Sequence, residues 1–128
     1  MDCNICLDQD DGDPVDLFHT TIVRAAKEHK CYECNAPIVK GERHELCKTL
    51  YEHQWYSNRT CLACVEIHRA LSSCDREDGR AGFRMLGCLW ADLEEYVFGE
   101  MTVACVAKCQ TAAAKKKLTE RWREWKFR

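Results

Sequence analysis

Six of the eleven cysteines stand in three C-x-x-C pairs, Cys3/Cys6, Cys31/Cys34 and Cys61/Cys64, and this spacing constrains the chain more than any other feature. Two thiolates three residues apart reach one ion when a tight turn lies between them, and Zn²⁺ takes four such ligands in a tetrahedron. Between the second and third pairs lie 26 residues, enough for a two-stranded hairpin. The run from Asn35 to Gly41, with Pro37 inside it, supplies turn chemistry after Cys34. The third pair opens a helix, where unpaired N–H groups and the dipole favour thiolate over thiol. Cys31, Cys34, Cys61 and Cys64 are thus the expected ligands of one structural zinc, which contributes on the order of 10 kcal/mol to folding. Four cysteine ligands leave such an ion no open position for a substrate.

The remaining cysteines leave alternatives open. Cys3 and Cys6 need two more ligands to close a second site. Cys105 and Cys109, four apart on one helical face, are the first candidates, with Cys74, Cys88 and His19 competing. One zinc or two are both compatible with this arrangement. Cys47 falls in an expected strand and reads as a small buried apolar residue.

Apolar residues at 46% and charged residues at 31% exclude a disordered chain, and 128 residues fit one domain. No apolar run is long enough to cross a membrane. The acidic start lacks the regions of a secretory signal, so the expected location is a reducing cytoplasm. Charge is strongly polarised. Residues 1–20 carry six Asp and no Lys or Arg, whereas residues 108–128 carry eight Lys or Arg against two Glu. Such a tail suits phosphate, an acidic partner, the chain's own acidic head, or simply a solvated helix face. Nucleic-acid binders are usually basic throughout, and a pI of 6.2 is not.

The expected fold class is α+β: a small zinc-bound treble clef (knuckle, β-hairpin, helix) packed with two C-terminal α-helices. Residues 1–128 then form one zinc-binding domain, with an acidic arm at 1–16, the zinc module at 17–74 and a helical half at 83–128. Within it, 17–30 is ambiguous between an extended segment and a short helix, while 43–48 and 55–60 predict strands. A helix over 62–73 places Cys64, Ile67, His68 and Leu71 on one face. A second, over 83–98, lines Leu86, Leu89, Trp90, Leu93 and Val97. A third, over 102–126, carries the stripe Ala114, Leu118, Trp122 and Trp125.

Four histidines, His29, His44, His53 and His68, surround the zinc pairs and invite comparison with histidine-metal nucleases. Those need a general-base His on the first strand and an Asn and later His on the metal. Glu52-His53 instead comes near the end of the hairpin, with Asn58 five residues on. No phosphate loop, nucleophile elbow or carboxylate pair stands elsewhere, and the chain reads as non-catalytic. Cys3-Asn-Ile-Cys6-Leu-Asp resembles the opening of a RING finger. A RING, however, interleaves its ligands and needs a Cys/His pair just before Cys31, where only His29 stands close.

A broader resemblance is to small zinc-finger proteins of tailed bacteriophages and prophages. It rests on residues 26–34 (Ala-Lys-Glu-His-Lys-Cys-Tyr-Glu-Cys), on 37–43 (Pro-Ile-Val-Lys-Gly-Glu-Arg), and on Trp55 with Arg59-Thr-Cys-Leu-Ala-Cys64. The segment from Met85 and the basic Trp-Arg-Glu-Trp tail extend it. The resemblance implies a phage origin, a bacterial host cytoplasm and a zinc module, without a mechanism. The functional expectation is a non-catalytic binding module that engages a host or phage protein, in its sharpest form an inhibitor of a bacterial defence system. Lys115, Lys116, Arg121, Trp122, Arg123 and Trp125 are the expected contact residues. The alternative is a zinc finger that binds nucleic acid through the same basic helix.

Overall fold

The computed structural model describes Cys3, Leu7, residues 17–72 and residues 86–128; the expectations for the rest of 1–16, for Cys74 and for 73–85 lie outside the described residues. The fold is α+β. Five strands, β1 (Leu17–Arg24), β2 (His29–Lys30), β3 (Pro37–Ile38), β4 (Arg43–Tyr51) and β5 (Gln54–Cys61), precede helix α1 (Leu62–Ser72). Helices α2 (Leu89–Asp92), α3 (Val103–Ala107) and α4 (Ala112–Lys126) follow.

The ambiguity at 17–30 resolves as extended: Leu17–Arg24 is a strand, in keeping with the β-branched run Thr20-Thr21-Ile22-Val23, and His29–Lys30 is a second, short one. β1 pairs antiparallel with β4 along its whole length, from Leu17 opposite Leu50 to Arg24 opposite Arg43. β4 turns directly into β5, so the three strands lie in the order β1-β4-β5. The turn is Glu52-His53, and both residues have positive φ (49° and 66°). Two left-handed residues between Tyr51 and Gln54 match the right-handed twist of the strands. β2 and β3 form a separate two-stranded ladder beside β5.

β5 runs without a break into α1, whose buried face holds Cys64, Val65, Ile67, His68 and Leu71. The core joins this face to Ile38, Leu89, Leu93, Val97, Phe98, Ala114 and Leu118. Leu7 belongs to it as well, and its N–H donates to the Leu71 carbonyl at 2.7 Å. The sheet stands largely to one side: His19 to Ile22 and Gln54 to Ser57 are exposed on both faces.

The C-terminal half departs from the two-helix expectation. α2 widens after one turn into a π-helical stretch, Leu93–Val97, with Phe98 N–H bonded to Leu93 O at 2.7 Å. The wider turn lets Leu93, Val97 and Phe98 all face the core. The helix expected over 102–126 is cut in two between Lys108 and Thr111. Glu66 on α1 causes the break by capturing backbone groups there: its Oε2 accepts from Gln110 N (2.6 Å) and Thr111 N (3.0 Å). Thr111 donates its hydroxyl to Glu66 Oε1 at 2.8 Å and accepts from Ala114 N, so it caps α4. The predicted stripe survives the cut, with Ala114 and Leu118 fully buried and Trp122 and Trp125 packed at the margin.

Candidate metal centre

Cys31 leaves β2, and Cys34 follows across a tight turn closed by Asn35 N to Cys31 O (2.9 Å) and Cys31 N to Ala36 O (2.9 Å). Asn35 takes the left-handed conformation that closure needs (φ 64°). Cys61 ends β5, and Cys64 sits in the first turn of α1. Tyr32 N–H donates to Arg59 O at 2.8 Å, tying the first turn to β5. The result brings all four predicted ligands together: their sulfur atoms lie within 4.8 Å of one another and all four residues are buried. Cys34 and Cys61 sulfurs are 3.9 Å apart, close to the edge of a tetrahedron with metal–sulfur bonds of about 2.3 Å. A closed, soft, four-thiolate set of this kind is compatible with zinc.

The local electrostatics favour ionised sulfur at Cys31 and Cys34. Cys31 Sγ accepts backbone N–H groups from Cys61 (3.3 Å) and Cys34 (3.5 Å). Lys117 on α4 brings Nζ to 3.0 Å from Cys34 Sγ and 3.4 Å from Cys61 Sγ. Four crowded thiols must share protons. Hydrogen bonds from Cys31 and Cys61 hold Cys34 far below the usual thiol range, while Cys31 and Cys34 push Cys64 far above it. A divalent cation resolves that conflict by replacing the protons. Burial pulls the Lys117 pKa down, but its bond to Cys34 and the charges of Cys61 and Cys64 raise it on balance.

Among the described residues this is the one cluster able to hold a metal. Of the candidate second set, Cys3 and Cys105 are joined by a disulfide, a pairing the spacing did not predict. Cys109 is a buried thiol, pushed up by burial and by Glu66, and Cys6 lies outside the described residues. Cys47 is fully buried, as expected. Its sulfur lies 3.6 Å from Thr49 Oγ1.

The histidines have diverse settings. His44 is buried, with Nδ1 at 3.2 Å from Glu42 O and Nε2 at 2.7 Å from Arg59 Nη1. His29 lies 5.9 Å from it. His53 is in the hairpin turn, and His68 is buried in α1.

The tail residues divide. Lys115, Lys116 and Arg123 are exposed. Arg121 instead donates to Cys34 O at 3.1 Å and stacks over the Trp90 ring. Trp122 Nε1 donates to Phe98 O at 3.2 Å, and the Trp125 ring lies 5.8 Å from that of Phe98. Lys117 and Glu66 escaped the sequence reading. The available signal was Lys117 beside Ala114, Leu118 and Arg121 on the inward face of α4, a cation where the pattern asks for an apolar group.

No family model, curated protein or solved structure matches the chain. No helix among the described residues is long and apolar enough to cross a membrane.

Proposed function

We propose that the chain is a non-catalytic, zinc-stabilised binding module of treble-clef type that engages a protein. The closed four-thiolate set carries this reading, because an ion held by Cys31, Cys34, Cys61 and Cys64 has no position left for a substrate. A cysteine turn, the β4–β5 hairpin and a second cysteine pair opening α1 follow the treble-clef order. The contact surface moves away from the tail tryptophans, which pack inward, to the outer half of the sheet. There Trp55 (61% exposed) stands on one face, and Tyr56 (46%) and Ile22 (47%) on the other, all outside the core. Aromatic groups held on a rigid sheet are favourable interface anchors. Phage origin and inhibition of a defence system complete the proposal, and the sequence resemblance supports them; the Cys3–Cys105 disulfide speaks against the reducing cytoplasm expected from the sequence.

A second reading rests on Lys115, Lys116 and Arg123, which are exposed on α4 and available to phosphate. One experiment separates the two. Tagged wild type and a Trp55→Ala/Tyr56→Ala variant are expressed in infected cells and cross-linked, and the captured species are compared. A protein retained by the wild type and lost from the variant, at equal zinc content, is the expected result. Retained nucleic acid, displaced by moderate salt and by charge reversal of Lys115, Lys116 and Arg123, establishes the second reading. Retention of neither sinks both.

A further inference from the structure

Zinc with four thiolates carries two net negative charges, and burying such a group is costly unless counter-charge and hydrogen bonds accompany it. The protein supplies them unevenly. Cys31 Sγ takes two backbone N–H groups from its own metal-binding segments. Cys34 and Cys61 take the ammonium of Lys117, contributed from the far end of the chain. Exposure divides the same way: Cys31 and Cys64 are fully buried, whereas Cys34 and Cys61 each keep 8% of their surface. Lys117 therefore lies on the sulfurs of the two cysteines in the set that keep any exposed surface. Its helix is pinned in place by Glu66 at the N-terminus and by Arg121 on Cys34 O.

We propose that Lys117 is a built-in counter-ion and shield of the metal centre, a positioning residue that slows zinc loss and blocks attack at Cys34 and Cys61. The inference rests on the four cysteines holding zinc. An ammonium bonded to a thiolate draws off the electron density that an electrophile or a competing chelator would use. Covering the sulfur also denies a chelator its approach. The groups around a ligand commonly change metal affinity 10- to 100-fold.

The test uses full-length, zinc-loaded protein. Zinc per chain is counted by native mass spectrometry, and its transfer to a chromophoric chelator is timed for wild type, Lys117→Met, Lys117→Arg and the exposed control Lys116→Met. Alkylation by N-ethylmaleimide is mapped cysteine by cysteine. Lys117→Met should release zinc about tenfold faster or more, with Cys34 and Cys61 alkylated first. Lys117→Arg should stay near wild type, and Lys116→Met should match it. General loosening of the fold would instead speed alkylation of all four cysteines together, and that pattern, or an unchanged release rate, overturns the proposal. If Lys117→Met does not fold, Lys117→Gln, polar but uncharged, takes its place under the same criteria. A wild type that takes up no zinc defeats the four-thiolate reading itself, and this inference with it.

Discussion

The two ends of the β4–β5 hairpin lie only a few residues apart in sequence and are held by different physics. At the α1 end, Cys61 and His44 are buried, the backbone donates to sulfur, and α4 closes over the site. At the turn end, Trp55 and Tyr56 on β5 and His19 and Thr20 on β1 are exposed, while Cys47 and Thr49 on the central strand between them are buried. One end is over-determined by convergent side chains, while the other presents groups without covering them. A small domain that concentrates its buried surface around a four-cysteine cluster leaves the outer strands of its sheet partly exposed, and those exposed residues can meet something else.

The largest effect is expected from removing one of the four clustered cysteines. Cys31→Ser or Cys64→Ser should abolish zinc binding and unfold the α1–α4 half, because about 10 kcal/mol of metal-linked free energy rivals the whole net stability of an ordinary domain. Circular dichroism with and without a chelator would show it. If Cys64→Ser kept its helix signal in the presence of chelator, the centre would be dispensable and the contrast between the two ends would fail.

A smaller effect belongs to Glu66, the clamp between α1 and α4. Glu66→Ala should cost about 1–2 kcal/mol in denaturant melts, the range for losing a helix cap and its charged hydrogen bonds at a half-exposed site. Burial raises the Glu66 pKa, but the bonds from Thr111 and Gln110 outweigh it and leave the folded value below the ordinary 4.5. A depressed carboxylate stabilises the fold above its unfolded pKa and loses that contribution as pH falls through the folded one. The gap between wild type and variant should therefore be full at pH 6 and close progressively below about pH 4. A gap that widens in acid would contradict the clamp.

How far the sequence discloses each region follows from how local its causes are. The cluster of Cys31, Cys34, Cys61 and Cys64 was legible because C-x-x-C spacing encodes the turn and the chemistry together. The faces of α1 and α4 were legible for the same reason, since periodicity is local. The break at 108–111 was not, because its cause, Glu66, is 45 residues away from Thr111 in sequence and acts through backbone groups. The inward turn of Trp122 and Trp125 depends on Phe98 in the same way. Lys117 reads as one more cation of a basic tail until the distance to Cys34 is known. The Cys3–Cys105 pairing spans 102 residues, and no spacing rule reaches that far.

The smallest effect tests the exposed end directly. Glu52 and His53 both occupy left-handed conformations, which cost a non-glycine residue about 1 kcal/mol or more. Asn-Gly meets the same geometry without that cost, so Glu52→Asn/His53→Gly should stabilise the turn by roughly 1 kcal/mol. If the hairpin unfolds together with the metal half, the gain appears in the global transition as a rise in Tm of about 4 °C. That is the expected result, because β5 passes into α1 without an intervening loop and strain relieved at the turn is carried to Cys61. A rise in hydrogen-exchange protection at Tyr51 and Gln54 with no change in Tm would mean that the outer sheet opens separately. The protein would then be a rigid half built around the four-cysteine cluster, bearing a loosely coupled sheet, and the proposed binding surface would be the part able to adapt its shape to a partner.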